Sequence, residues 1–481
     1  MPYLGAAVPH PLPRRVVIVR VAVAAVAIVA VAVAGVAVAV SLHQAPGTGR
    51  QATPPATSTT IGAPLSPGAS LPLADPPSTL PPPPELAPPV TALAGQLDPI
   101  LVNTNSCLLV RGATGQLLYE HQPATALAPA STQKLLVAAA ALELLGPSFR
   151  FTTTVVATQH PVAGEVDNAW LVGSGDPVLS SPEYTSYLAL LPFTAGQPVT
   201  TPLVSLATQL AADGVRSIPG GIHGDDSLFD RTRFLPTWTQ AYITEGDVAP
   251  IGALEVDDGL DSWRPVKVTA DPAAHAAGVL ARLATAAGIA TVQGADGVAP
   301  PGAVVLASVQ SPTLADIITS MLRVSDNTTA EMLVREVDRV TGGTGTTAGG
   351  VAVVMREAAA LGLPTAGLHL VDGSGLSPED RVSCVTLLDA LDLASQDRFA
   401  AMGLLSVAGR FGTLVDRFTG TPAADHLEAK TGNIADVYGL VGRLDEGSPL
   451  SFAFLINGPL NYVGGIGYEN RVVAALGTYP A

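Results

Sequence analysis

The sequence predicts an α+β fold, an antiparallel sheet flanked by helices and closed by strands from both ends of the folded region. Three observations carry this. Ser106–Val110 and Gln116–Glu120 are strand-like runs joined by a turn at Arg111–Gly115. Val437–Leu444 and Leu450–Asn457 form a second such pair around Asp445–Pro449. Between the pairs lie longer helical patterns, so helices must cover the sheet that the two ends build together.

The N-terminal segments come first. Val21–Val40 is an unbroken run of 20 apolar or glycine residues, about the length of a bilayer-spanning helix. Arg14, Arg15 and Arg20 precede it, which predicts a cytoplasmic N-terminus and an exported remainder. A cleaved signal peptide is the alternative; the length of the run and the lack of a single distinct cleavage site favour a retained anchor over residues 1–42. Residues 41–90 hold 14 of the 42 prolines, so 43–91 reads as an extended linker without a core, with a reach on the order of 100 Å.

The folded part begins near Ala92 with a short helical pattern and the first strand pair. Ala130–Leu145 reads as a helix stopped by Gly146 and Pro147, and Glu469–Leu476 as a final helix. The formal net charge of −16 repels phosphate backbones and excludes nucleic acid as a partner. Cys107 and Cys384 show no metal-ligand or redox spacing; one long-range disulfide and two buried thiols are both open.

Lysine usage points to chemistry. Of 24 basic residues only Lys134, Lys267 and Lys430 are lysines. Arginine serves wherever charge suffices, so a lysine marks a position that needs a compact amine or one able to lose its proton. Lys134 lies three residues after Ser131 at the start of a helix that continues Leu-Leu-Val and four alanines, apolar all round and therefore buried. Burial lowers the pKa of an amine, which can then take the serine proton, while a helix N-terminus favours negative charge on the oxygen.

Ser325-Asp326-Asn327 enters a second helix and offers a hydroxyl and an amide for proton relay and for a substrate carbonyl. Lys430-Thr431-Gly432 precedes the C-terminal strand pair. Its ammonium and hydroxyl suit a carboxylate, Gly432 lets a backbone approach, and the N–H groups of Asn433 and Ser131 would form an oxyanion hole. Each motif alone has a plain reading as a helix cap or a surface strand; the three in this order form a known constellation.

With these motifs the sequence resembles the D-alanyl-D-alanine carboxypeptidase/endopeptidase family, the class C low-molecular-mass penicillin-binding proteins. The likeness runs over nearly all of residues 95–481. It includes Pro129-Ala-Ser-Thr-Gln-Lys-Leu-Leu, Leu171-Val-Gly-Ser-Gly-Asp-Pro-Val-Leu, Ser325-Asp-Asn-Thr-Thr-Ala-Glu and Asp372-Gly-Ser-Gly-Leu-Ser. The resemblance implies a penicillin-binding, serine β-lactamase-like transpeptidase fold, with catalysis by Ser131 as nucleophile, Lys134 as base, and Ser325 and Asn327. It places Lys430, Thr431, Gly432 and Asn433 on the substrate, and Ser374 and Leu376 at the border of the cleft. No metal or cofactor is expected. The partners implied are peptidoglycan stem peptides, β-lactams as covalent inhibitors, and the membrane through the N-terminal helix.

The resemblance also implies a large insertion between the first two motifs. It predicts an inserted domain over 160–300, with 92–159 and 301–481 forming the catalytic domain, and the gap is short for two full nested subdomains. Asn433 departs from the family, which usually carries a hydroxyl there; backbone oxyanion binding survives that change.

Other readings lose support. Gly343-x-Gly345-x-x-Ala348 follows a helical pattern rather than a strand and reads as a loop. No His-Glu-x-x-His, Gly-x-Ser-x-Gly or phosphate-loop pattern occurs. Asp176 reads as a turn residue and Lys267 as a solvated strand lysine. A β-lactamase would need a deacylating carboxylate, and no Glu-x-x-Leu-Asn follows Ser325. A non-catalytic wall-binding module is disfavoured by the intact Ser131, Lys134, Ser325 and Lys430.

Overall fold

A computed structural model of the chain describes residues 88–194 and 196–480. The expected anchor over Val21–Val40 and nearly all of the linker lie outside the described residues, among which no helix is long and apolar enough to cross a membrane.

The chain enters through α1 (Pro88–Leu101), β1 (Asn105–Gly112) and β2 (Leu117–His121), then α2 (Lys134–Leu145). An inserted layer follows, with β3 (Thr152–Ala157), β4 (Ala169–Val172), α3 (Val204–Ala212), β5 (Ser217–Asp225), α4 (Pro272–Ala286), β6 (Ala290–Gln293) and β7 (Val304–Gln310). Next come α5 (Leu314–Val324), α6 (Asn327–Val340), α7 (Thr347–Ala360) and α8 (Cys384–Asp392). The chain closes with β8 (Ser406–Val407), β9 (Leu427–Ile434), β10 (Val437–Leu444), β11 (Leu450–Asn457) and α9 (Tyr462–Leu476).

The main sheet runs β8-β9-β10-β11-β1-β2, with every neighbouring pair antiparallel. β1 pairs with β11 over its full length, Asn105 opposite Asn457 and Gly112 opposite Leu450, so both ends of the folded region meet in the middle of the sheet. Alternation along β1 divides two cores. Cys107 and Leu109 face a core with α2, α5, α6, α7 and α8, whereas Leu108 and Val110 face a core with α1 and α9. The first of these cores explains α2, which is buried from Lys134 to Leu142 because helices surround it.

The inserted layer is a mixed sheet, β6-β5-β4-β3-β7, parallel on the β6-β5-β4 side and antiparallel beyond. Its two outgoing strands, β3 and β7, pair with each other and carry the chain in and out. The insertion expected over 160–300 falls within the span of this layer, which runs from Thr152 to Gln310.

Other boundaries also shift. Pro88–Thr91 are helical rather than linker, since proline is tolerated in the first turn of a helix. The expected helix over Ala130–Leu145 is a 3₁₀ turn, Ala130–Gln133, leading into α2; Ala130 has φ 47° and cannot join an α-helix. α9 begins at Tyr462 with an Asn461 cap, earlier than expected, because Gly464, Gly465 and Gly467 hide the helical pattern. Gly465 is required there, as a Cβ would collide with the Tyr438 ring. Of the two possibilities for the cysteines, the disulfide is present: Cys107 of β1 joins Cys384 at the start of α8, Cα to Cα 5.9 Å.

Candidate active site

The helix-facing side of the sheet and the ends of α2, α5 and α6 bring the three motifs together. Ser131 sits in the 3₁₀ turn and Lys134 one turn further on, fully buried. Lys134 Nζ has three acceptors: Ser131 Oγ at 2.8 Å, Asn327 Oδ1 at 2.7 Å and the Ser374 carbonyl at 2.6 Å. Burial pulls the Lys134 pKa down to about 8, against the upward pull of Asp372, Asp326, Glu331 and Asp380. Once neutral, the amine can give its two hydrogens to Asn327 and Ser374 and present its lone pair to the Ser131 hydroxyl. That is the geometry of a general base.

Ser325 is the C-cap of α5 in the left-handed region, φ 61°, and Asp326 caps α6 by accepting from Thr329 N at 2.8 Å. The tripeptide is thus a sharp corner between two helices, which fixes Asn327 at the first position of α6. The Asn327 amide is held in turn by its Nδ2, which donates to the Asp247 carbonyl of the insertion at 2.7 Å.

Lys430, Thr431, Gly432 and Asn433 lie on β9. β8 pairs with β9 only at Glu428 and Ala429, so the edge from Lys430 onward is not covered by that strand. Lys430 Nζ donates to Ser325 Oγ at 2.8 Å and to the Thr431 carbonyl at 2.6 Å, joining the second and third motifs. The Thr431 hydroxyl donates to Thr413 Oγ1 at 2.8 Å. Gly432 lets β9 lie against the nucleophile turn: a Cβ there would sit 2.8 Å from the Pro129 carbonyl, 2.9 Å from Thr132 N and 3.1 Å from Ser131 N. The side-chain Nδ2 of Asn433 is buried without a hydrogen-bond partner.

The loop Asp372–Ser377 forms the remaining wall. Ser374 is buried with its carbonyl toward Ser131 and Lys134, while Leu376 lies in an apolar cluster with Phe229, Trp238, Val248 and Met332. Gly375, φ 81°, packs so tightly on Ala130 that a Cβ would collide with its carbonyl. The Asp372 carboxylate organises the loop: Oδ1 accepts from Gln133 Nε2 and Gly375 N, and Oδ2 from Trp238 Nε1 and Ser377 N, all at 2.7–3.0 Å.

Glu331, Asp372, Trp238, Asp247 and Thr413 escaped the sequence reading as supporting residues. Glu331 and Asp372 stood inside quoted motifs, which was their only signal; Asp247 acts through its carbonyl, which no residue type reveals. Asp176 does form a turn, its Oδ1 accepting from Val178 N at 3.0 Å, and burial pushes its pKa up to about 6. Lys267 is 71% exposed and paired with Asp261. Gly343 and Gly345 fall in the loop between α6 and α7.

The chain matches the model of the D-Ala-D-Ala carboxypeptidase 3 (S13) family over residues 91–271 and 262–466. It is 32% identical over 458 residues to the D-alanyl-D-alanine carboxypeptidase of Actinomadura sp. (strain R39), covering 77% of this chain and 81% of the relative. A carboxypeptidase of Mycobacterium tuberculosis is 35% identical over 362 residues, covering 72% of this chain and 74% of the relative. Among solved structures, penicillin binding protein 4 from Haemophilus influenzae superposes with a TM-score of 0.66 at 22% identity, over 81% of this chain and 99% of that one, which establishes a shared fold.

Proposed function

We infer the reaction from two facts together: this chain belongs to the D-Ala-D-Ala carboxypeptidase 3 (S13) family, and an amine buried on all sides faces a serine hydroxyl. It is a serine-type D-alanyl-D-alanine carboxypeptidase, a hydrolase of the penicillin-binding group. The contact from Lys134 Nζ to Ser131 Oγ at 2.8 Å carries the assignment of roles.

A stem peptide ending in D-Ala-D-Ala lies along the edge of β9, its carboxylate on Lys430 and on the Thr431 hydroxyl, which turns its proton from Thr413 to the ligand. The scissile carbonyl oxygen takes the N–H groups of Ser131 and Asn433, a pair in which each donor is worth ~2.7–4 kcal/mol in the transition state. Ser131 Oγ bonds to the carbonyl carbon as its proton passes to Lys134. The tetrahedral intermediate then breaks the amide bond, and the departing D-Ala nitrogen receives a proton from Ser325, restored from Lys134. Water hydrolyses the acyl ester by the same route, freeing the shortened peptide and the Ser131 hydroxyl. β-Lactams enter as cyclic amides bearing a carboxylate; their leaving amine stays tethered to the acyl group and obstructs the approach of water, so their acyl-enzyme persists where that of the peptide turns over.

We further assign residues 152–310 as an inserted domain within a catalytic domain formed by the remaining described residues. Residues 21–40 anchor the enzyme to the outer face of the membrane; a disulfide in a buried core suits an oxidising compartment. Carbonate-washed membranes should retain full-length protein and release protein lacking the first 42 residues; release of both would remove the anchor.

For the reaction itself, mass spectrometry of a defined pentapeptide should show loss of one D-Ala with the wild type and none with Ser131→Ala. Lys134→Arg, which keeps charge but cannot act as base, should lose at least ~10²–10⁴-fold in rate. Near-normal turnover by Lys134→Arg would show that only charge is needed.

A further inference from the structure

Lys134 can act as a base only if its lone pair points at Ser131, and the direction of that lone pair is set by where the other two hydrogens go. One acceptor, Asn327 Oδ1, is the first residue of α6. The other is a backbone carbonyl, Ser374, in a loop between elements. Such a carbonyl needs something to hold its peptide plane.

The holder is one turn further along α6. Glu331 follows Asn327 by four residues and shares its helix face. Its side chain is fully buried, and its Oε1 accepts from Gly373 N at 2.9 Å and from Ser374 N at 2.7 Å. Its second oxygen, Oε2, is buried with no hydrogen-bond partner, so a carboxyl has been placed where solvent cannot reach it for the sake of two loop N–H groups. One face of α6 thus supplies the first acceptor of the Lys134 amine directly and the second through the loop.

We propose that Glu331 is a positioning residue for the general base, fixing the Ser374 carbonyl that orients the Lys134 amine toward Ser131. The proposal rests on the reading of Lys134 as base. Charge enters as well. Asp372 on the loop, Arg335 on the same helix and Lys134 on α2 all act in the field of Glu331. Burial, then Asp372, push the Glu331 pKa up to about 7, against the hydroxyl and N–H of Ser374 and the charge of Arg335. In its ionised form Glu331 favours the Lys134 ammonium over the free amine.

The test is stopped-flow acylation of the full chain by a chromogenic cephalosporin from about pH 6 to about pH 10, with Glu331→Gln and Glu331→Ala. Glu331→Gln keeps an oxygen for both N–H groups and removes the charge. Its plateau rate should stay within about threefold of wild type, and the acid limb of its profile should move to lower pH. Glu331→Ala releases the carbonyl, and its plateau should fall by roughly 100-fold with little change in cephalosporin affinity. An acid limb of Glu331→Gln that coincides with wild type overturns the electrostatic link to Lys134, and Glu331→Leu, which keeps the volume and removes both acceptors, decides positioning if Glu331→Ala does not fold. A folded Glu331→Ala that acylates at the wild-type plateau overturns positioning. A wild type that is itself inert, with Ser131→Ala as control, overturns the functional assignment and this inference with it.

Discussion

Two non-glycine residues of the site sit in the left-handed region, Ala130 at φ 47° and Ser325 at φ 61°, and each costs on the order of 1–2 kcal/mol relative to ordinary backbone. Both stand at corners that the surrounding packing enforces, one immediately before Ser131 and one in the second motif. A lysine pulled down to about 8 is charged below that pH and then uses its hydrogens on all three acceptors. The acylation rate should therefore rise with pH and level off above about 8; a rate falling over that range would exclude a neutral Lys134 as base. Lys134 and Lys430 stood out in the sequence because arginine is used nearly everywhere else. Thr413 did not, because its tie to Thr431 spans 18 residues of chain with no local pattern. When Thr431 turns its proton to the carboxylate, Thr413 can donate to Thr431 Oγ1 in its place, so Thr413→Val should raise KM for a D-Ala-D-Ala peptide by roughly tenfold with kcat nearly unchanged. An unchanged KM would leave Thr413 outside carboxylate recognition.

At the scale of elements, the strands were the most legible part. β10 and β11 coincide with the expected runs, since two apolar stretches around a Gly-Ser-Pro turn admit little else. What the sequence hid were contacts between elements. Gly432 reads as one more glycine, yet it is the point where β9 touches the nucleophile turn. Gly432→Ala should cost about 1–3 kcal/mol by overpacking and slow acylation, because the displaced backbone, Pro129 to Thr132, is the turn that carries Ser131. Retained stability and rate, measured by denaturant unfolding and stopped flow, would show that the two elements can separate freely. The Asp372–Asp380 loop holds a second hidden feature. Asp380, buried beside Asp372, has its pKa pushed up to about 9, so the folded protein keeps a proton there that the unfolded chain loses near pH 4. Stability contributed by that proton is complete below the unfolded value and is lost as pH rises toward 9. Asp380→Asn should flatten the fall in stability over this window; an unchanged slope would place the protonation elsewhere.

For the whole molecule, the sequence indicated a sheet closed by both ends, and β1 lying beside β11 has that form. The pairing of β3 with β7 was not legible, because each reads like any strand and about 150 residues of chain lie between them. The disulfide was equally undetermined, since 277 residues separate its cysteines and only the fold brings them together. It ties β1 to α8 across the larger core, so Cys107→Ser with Cys384→Ser should lower stability by about 2–5 kcal/mol. Urea unfolding of the double variant checks this, and unchanged stability would make the bond incidental. All residues assigned to chemistry lie after α1, whose Leu93, Leu97 and Leu101 are buried, so a chain beginning just before Pro88 should retain the full site. The most direct measurement on that chain is intact and peptide mass analysis after incubation with penicillin. The arrangement of Ser131, Lys134 and Lys430 predicts a single lasting adduct on the peptide containing Ser131, absent from Ser131→Ala. An adduct on any other residue, or none in a folded protein, would contradict it.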